Sequence, residues 1–266
     1  MAIERDVGPG GALEQQVAEQ AEVLIENALG QNPGVFNFDD GSAIVGEYTE
    51  MEATVEAAFD SNLAEFMEEG DLNQISNDLI SINDEVLISE KAWRMEGSRM
   101  FIEAGKKVSV SDLLKGIIIQ SGNDASVALS EYVGGTERGF VDLMNSYASS
   151  LNMNNTIFQN STGLPDDNHF SSAQDLAILT SNLIKKFPDI YSFYKEKQFT
   201  FNDIKQLNRN KLLWRDDSSD GVKTGHTEAA GYCLVGSAKR GDMRVITVVA
   251  GSDSDNNRFL ASQRLL

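Results

Sequence analysis

Apolar positions along the chain change their spacing several times, and each change predicts a new element. After the flexible Gly8-Pro9-Gly10-Gly11, residues Leu13, Val17, Ala21, Leu24 and Ala28 recur at helical spacing, with Gly30 as a C-cap and Pro33 close behind. Residues 35–48 read as two short strands around Asp40-Gly41, a pair that supports the positive φ of a tight turn. Helical period returns over 51–69, where Met51, Val55, Phe59, Leu63 and Phe66 form one core-facing stripe. From 84 to 110 the pattern breaks into short strand-like and turn-like pieces.

The middle of the chain is helical. Val110, Leu113, Leu114, Ile117 and Ile118 predict a helix over 111–120, capped by Ser109 or Ser111. It stops at Ser121-Gly122-Asn123. A second helix starts at Asp124, turns Val127, Ala128 and Tyr132 inward, and ends at Gly134-Gly135; a third covers 136–151. "NSTGLPDDNHF" is a loop, after which Ser172-Ala-Gln-Asp175 resembles a capping box opening a helix to about Lys186. "QFTFND" alternates as a strand, and 231–238 with 243–251 read as an antiparallel hairpin. Helices in the middle and strands at both ends predict an α/β fold, a helical lobe plus a mostly antiparallel sheet built from both ends of the chain. The division expected is an N-terminal extension with an amphipathic helix (1–34) followed by one domain (35–266).

Composition sharpens this picture. With 266 residues, 41% of them apolar, the chain can bury a sizeable core. The net charge of −19 is one-sided: residues 1–90 carry 21 acidic side chains against one basic one, Arg5, while 91–266 carry 20 against 21. Such a field argues against nucleic acid or an anionic membrane as a partner. No apolar run approaches the ~18 residues that span a bilayer. The first residues lack the basic-then-apolar pattern of a secretory leader, so a soluble chain is expected. A lone cysteine, Cys233, excludes an intramolecular disulfide and reads as a core thiol. His169 reads as a surface or loop-packing residue. Neither it nor His226 has the Cys, His or Glu neighbours of a metal site, so no metal and no cofactor is expected.

Two polar clusters carry the candidate chemistry: Ser121-Gly122-Asn123 at a helix–helix junction, and Lys223-Thr224-Gly225-His226 leading into the hairpin. Taken singly, each has an ordinary alternative as a loop or a polar strand end. Together, in this order and at this separation, they resemble the penicillin-binding serine peptidases, and more narrowly the low-molecular-mass D-alanyl-D-alanine carboxypeptidases. "ISEKAWRMEGSRMF", "VSDLLKGIIIQSGNDASVAL", "FSSAQDLAIL", "YSFYKEKQFTFNDIKQLNRNKLLW" and "DGVKTGHTEAAGYCLVGSA" are similar to that family, and the likeness runs from about Asp84 to Leu266. Residues 35–83 diverge.

The resemblance implies a DD-peptidase/β-lactamase-like fold, with three motifs lining one cleft between a helical lobe and a five-stranded sheet. A Ser-x-x-Lys supplies the nucleophile and the lysine that activates it. Ser121 relays protons and Asn123 holds the substrate. Lys223, Thr224, Gly225 and His226 bind the substrate's terminal carboxylate and frame the oxyanion side, and Arg258 falls where the family places an arginine near that carboxylate. The implied ligands are peptidoglycan stem peptides ending in D-Ala-D-Ala, and β-lactams; the implied setting is extracytoplasmic. Acyl transfer needs the same parts on physical grounds: an activated serine, donors aimed at the oxyanion and a cation for the peptide's C-terminus.

The first motif is missing. No lysine precedes Lys91, so no Ser-x-x-Lys can lie upstream of Trp93, where the family carries it. Counting back without a gap puts Ser61-Asn-Leu-Ala64 there, keeping a serine but not the lysine. Matching "EEGDL" at 68–72 instead puts Ala53-Thr-Val-Glu56 there and loses both. Ser192-Phe-Tyr-Lys195 is the chain's one true Ser-x-x-Lys, but it stands in text that is ordinary structure in the family. Ser89 with Lys91, and Ser111 with Lys115, are weaker pairs. Ser121 could itself substitute as nucleophile with Lys223 as partner. Three readings therefore stand: a serine-type carboxypeptidase with impaired catalysis, a non-catalytic homologue that binds peptidoglycan peptides or a protein partner through the cleft, and a β-lactamase. The last would need a deacylating carboxylate, and no segment resembles the loop that carries one.

Overall fold

The computed structural model describes residues 80–266 together with the strand positions 34–37 and 43–46. The predicted helices over 13–28 and 51–69, the Asp40-Gly41 turn, Ser61 and the Ala53–Glu56 segment lie outside the described residues. Strands β1 (Gly34–Asn37) and β2 (Ala43–Gly46) pair antiparallel, as the alternation around Asp40-Gly41 predicts. β3 (Glu85–Leu87) and β4 (Lys107–Ser109) form a separate two-stranded ribbon. Helices α1 (Val110–Gln120), α2 (Asn123–Gly134), α3 (Glu137–Ser150) and α4 (Ala173–Lys186) make the helical lobe. A second ribbon, β5 (Gln198–Phe201) with β6 (Ile204–Leu207), precedes β7 (Ser219–Thr227), β8 (Gly231–Arg240), β9 (Met243–Ser252) and the helix α5 (Asp255–Leu265).

The main sheet has the order β1-β2-β9-β8-β7. All its pairings are antiparallel except β2 with β9, so both ends of the chain do meet in one mostly antiparallel sheet. Alternation along β8 separates two cores. Leu234 joins Leu212 and Phe259 beneath the terminal helix, whereas its neighbour Val235 joins Ile246, Val248 and the helical lobe. Among the described residues β7 stands at the sheet's edge.

α1 explains the unbroken "IIIQ" of the sequence. Leu113, Leu114, Ile117, Ile118 and Ile119 are all at most 1% exposed, because α1 packs against β4, β5, β6 and α2. Each such side chain contributes roughly 1.5–3 kcal/mol of burial. Ser109, one of the two candidates, is the N-cap: its Oγ accepts from the Asp112 N–H at 3.0 Å. Ser172 caps α4 by accepting from the Asp175 N–H at 3.1 Å. Asp175 does not complete the capping box. Its carboxylate instead accepts from the Asn155 N–H at 2.8 Å and the Thr156 hydroxyl at 2.7 Å, pinning the preceding loop to the helix.

One expectation about side-chain placement, that for Tyr132, is corrected, and the two alternatives for His169, surface or loop-packing, are decided for packing. Tyr132 does not turn inward; it is 38% exposed and its hydroxyl donates to Asp84, which keeps its polar end at the surface. His169 is not a surface residue but is buried, edge-on to Phe158, with Nδ1 accepting from the Gln159 N–H at 3.4 Å. Burial lowers its pKa to about 4, only partly opposed by Asp166. The unfolded chain binds this proton near pH 6.5 and the folded one near 4, so the stability is complete above 6.5 and drains away as pH falls towards 4. Denaturant unfolding at pH 7 and pH 5 should therefore show about 2 kcal/mol more loss in the parent than in His169→Gln. Equal losses in the two proteins would refute the assignment. Cys233 is a buried core thiol, as expected, and burial pushes its pKa up.

Candidate active site

The Ser-Gly-Asn junction is made by one helix ending where the next begins. Ser121 closes α1 in the left-handed region (φ 58°, ψ 48°), and its N–H still donates to the Ile117 carbonyl at 3.0 Å. That conformation is costly for a residue with a Cβ, by about 1–2 kcal/mol, and it throws the hydroxyl off the helix axis. Gly122 follows in a tight place, where a larger residue would require its neighbours to give by a few tenths of an ångström. A Cβ there would stand 3.0 Å from the Asp124 carboxylate and 3.1 Å from the Met100 backbone nitrogen. Asn123 then starts α2. Its N–H donates to the Ser98 carbonyl at 2.9 Å and its side-chain amide to the Glu96 carbonyl at 2.7 Å, so both bonds fasten the 96–98 turn.

Asp124, the next residue, builds the rest of this wall. It is fully buried, and its carboxylate accepts from the N–H groups of Met100 (2.8 Å), Phe101 (2.9 Å), Ile102 (3.3 Å) and Ala125 (3.0 Å). The Arg99 guanidinium lies 4.0 Å away. This carboxylate locks the segment that continues from Gly97 and Ser98 onto the start of α2.

The opposite wall is β7. Lys223, Thr224, Gly225 and His226 pair with Val235, Leu234, Cys233 and Tyr232 of β8. Lys223 is at the middle of the strand and the run continues to His226, the last residue but one. Lys223 is 3% exposed and shares its sheet face with Val235, which belongs to the core of the helical lobe. Its ammonium donates to the Ser121 hydroxyl, 102 residues away in sequence, and to the Thr224 carbonyl at 3.3 Å. His226 stacks on Tyr232 with ring centroids 3.9 Å apart.

Ser121, Asn123, Thr224, Gly225, His226 and Arg258 line one cleft. Arg258 reaches it from α5, already committed to the scaffold. Nη1 donates to the carbonyls of Gly225 (2.7 Å) and Cys233 (3.1 Å), Nη2 bonds Asp255, and the guanidinium lies 5.4 Å from the Tyr232 ring centre. Its Nε, buried, has no partner among the described residues. Arg209, exposed in the same cleft, is a second cation that sequence reasoning overlooked. Its backbone N–H donates to the Ile119 carbonyl at 3.3 Å, which ties it to the end of α1. The loop Thr162-Gly163-Leu164 closes the cleft's other side. Beneath it, Glu137 accepts from the Ser161 N–H (3.2 Å) and hydroxyl (3.0 Å) and pairs with Lys91 at 2.6 Å. Burial pushes the Glu137 pKa up, but these bonds outweigh it and hold the carboxyl below its usual range.

The other serine–lysine pairs play no part here. Ser89 caps the turn Glu90–Trp93 and bonds Glu131, Lys115 pairs with Glu196 at 3.0 Å, and neither Ser192 nor Lys195 lines the cleft. Among the described residues no group of His, Cys, Asp and Glu could hold a metal ion, and no helix is long and apolar enough to cross a membrane.

A helical lobe set against a largely antiparallel five-stranded sheet, with Ser-Gly-Asn facing Lys-Thr-Gly, defines the β-lactamase-like class of DD-peptidases. Within that class the chain belongs to the D-alanyl-D-alanine carboxypeptidase family, whose model matches residues 72–254. It is 49% identical over 196 residues to the D-alanyl-D-alanine carboxypeptidase DacC of Escherichia coli, covering 71% of this chain and 49% of the relative. Among solved structures it is similar to penicillin binding protein 5 from Haemophilus influenzae (TM-score 0.75, 39% identity, 82% of this chain and 63% of that one). Penicillin binding protein 6B from Escherichia coli matches likewise (TM-score 0.73, 37% identity, 83% and 70%). The chain spans about half the length of the curated relatives it matches.

Proposed function

We propose that this chain binds peptidoglycan stem peptides ending in D-Ala-D-Ala, and β-lactams that mimic them, in the cleft between Ser121-Asn123 and β7, with impaired acyl transfer. The observation that carries the binding half is the Lys223–Ser121 contact, which joins two motifs 102 residues apart across one cleft. In this reading Asn123 and the β7 backbone hold the peptide. Thr224 and His226 receive its carboxylate end, with Arg258 and Arg209 supplying positive charge in the cleft and Lys223 adding its own from behind the lining, on Ser121. The impaired half rests on the sequence: no lysine precedes Lys91, so no Ser-x-x-Lys stands upstream of Trp93, where the family carries it. A serine hydroxyl without its base loses several orders of magnitude in rate, while oxyanion donors and binding contacts persist. Titration calorimetry with a D-Ala-D-Ala peptide tests binding; measurable saturable heat is expected, and its absence would refute the proposal.

One observation favours a second reading. Lys223 Nζ contacts the Ser121 hydroxyl, so the two are a candidate substitute pair, in which the amine, once neutral, would take the hydroxyl proton as Oγ attacks. Acyl transfer through Ser121 would leave a covalent mark on that residue.

A further inference from the structure

A polar cluster outside the cleft sits where β7 begins. Ser219 pairs with Ala238 and Gly221 with Ser237, so β7 uses two steps where β8 uses one, and Asp220 is the bulged residue. Its carboxylate is clamped from two sides. Arg244, on β9, donates Nη1 to Oδ1 at 2.8 Å and Nη2 to Oδ2 at 2.7 Å, reaching across β8, where Nη1 also meets the Ser237 hydroxyl at 2.5 Å. Tyr191, just before β5, donates its hydroxyl to Oδ1 at 2.9 Å and lies beneath the guanidinium. Burial, and then the Asp220 charge, push the Tyr191 phenol above its ordinary range, so it stays a donor. Gly221 leaves room for this clamp: a Cβ there would stand 2.5 Å from the Tyr191 hydroxyl.

We infer that the Asp220–Arg244–Tyr191 clamp is a register lock, holding the bulge that aims Lys223 at Ser121. Side chains alternate along a strand, so sliding β7 by one residue would carry Lys223 to the opposite face of the sheet. Among the described residues β7 pairs with a strand on one side only, so a single ladder, interrupted by the bulge at Asp220, carries its backbone register there. None of the three clamp residues lines the cleft, so they are positioning residues. The affinity consequence rests on the proposed peptide binding; the register claim does not.

The test compares amide hydrogen exchange in the parent, Asp220→Ala, Asp220→Asn and Tyr191→Phe, with calorimetry on a D-Ala-D-Ala peptide alongside. In Asp220→Ala, the β7 amides bonded to β8 should exchange about tenfold faster relative to those between β8 and β9, and the peptide should bind about tenfold more weakly. Asp220→Asn, which keeps one acceptor, should recover part of both effects, and Tyr191→Phe should show the smallest change. A uniform rise across β7, β8 and β9 with unchanged affinity would mark a merely stabilising ion pair and overturn the proposal. So would unchanged β7 exchange. If the parent itself gives no heat with peptide, the binding proposal fails and the exchange comparison alone decides the lock.

Discussion

Replacing Lys223 by alanine should weaken binding of a D-Ala-D-Ala peptide by at least about thirtyfold, because removing one partner from a buried charge pair costs about 2 kcal/mol or more. The side chain is 3% exposed and placed between both motifs, with its ammonium on the Ser121 hydroxyl. A carboxylate arriving there would be desolvated by the cleft and would meet a cation held in place before it came. Calorimetry measures the loss, and the thermal midpoint, taken in the same preparation, separates it from unfolding. Lys223→Arg should recover little, since a planar fork does not fit a slot shaped for a point charge. Unchanged affinity in Lys223→Ala would remove this residue from the site.

Asp124→Ala should be among the most destabilising single substitutions in the described region, by about 3–5 kcal/mol in denaturant unfolding. The carboxylate accepts from four backbone N–H groups, and three of them, Met100, Phe101 and Ile102, belong to a segment 22–24 residues away. Alanine strands the Met100 and Ile102 donors in a buried place. Asp124→Asn should also fall well short of the parent, because its amide would turn two donors towards N–H groups that need an acceptor. The loss should show in the cleft as well, since the same carboxylate anchors the segment that follows Gly97 and Ser98. A loss below about 1 kcal/mol would contradict this account of the wall.

The residues that sequence reading caught are those whose chemistry is local. Ser109 and Ser172 cap helices because capping needs only a hydroxyl three residues before a free N–H. The hairpin of β8 and β9 follows from alternation, and the Ser-Gly-Asn and Lys-Thr-Gly clusters from their text. What escaped was set by packing between distant segments. Asp124 looked like an ordinary acid in a first helical turn; its partners lie 22–24 residues upstream. Arg209 stood within text similar to the family, yet its place in the cleft depends on a bond to the end of α1. His169 lay in a polar loop, and only the fold brings Phe158 against it. Tyr132 obeyed helical spacing but kept its hydroxyl for Asp84. A clear signal for Asp124 was still available in the sequence: an acid adjoining a site motif with no basic residue at helical spacing.

The central proposal is that this chain presents the binding walls of a D-alanyl-D-alanine carboxypeptidase-like cleft with impaired acyl transfer, no Ser-x-x-Lys standing upstream of Trp93. Incubating the protein with a penicillin and recording its intact mass tests that claim most directly. The account predicts no covalent adduct, or one that accumulates very slowly. Rapid stoichiometric acylation would contradict it, and peptide mapping of the adduct would then name the serine, with Ser121 and Ser61 the first to be checked.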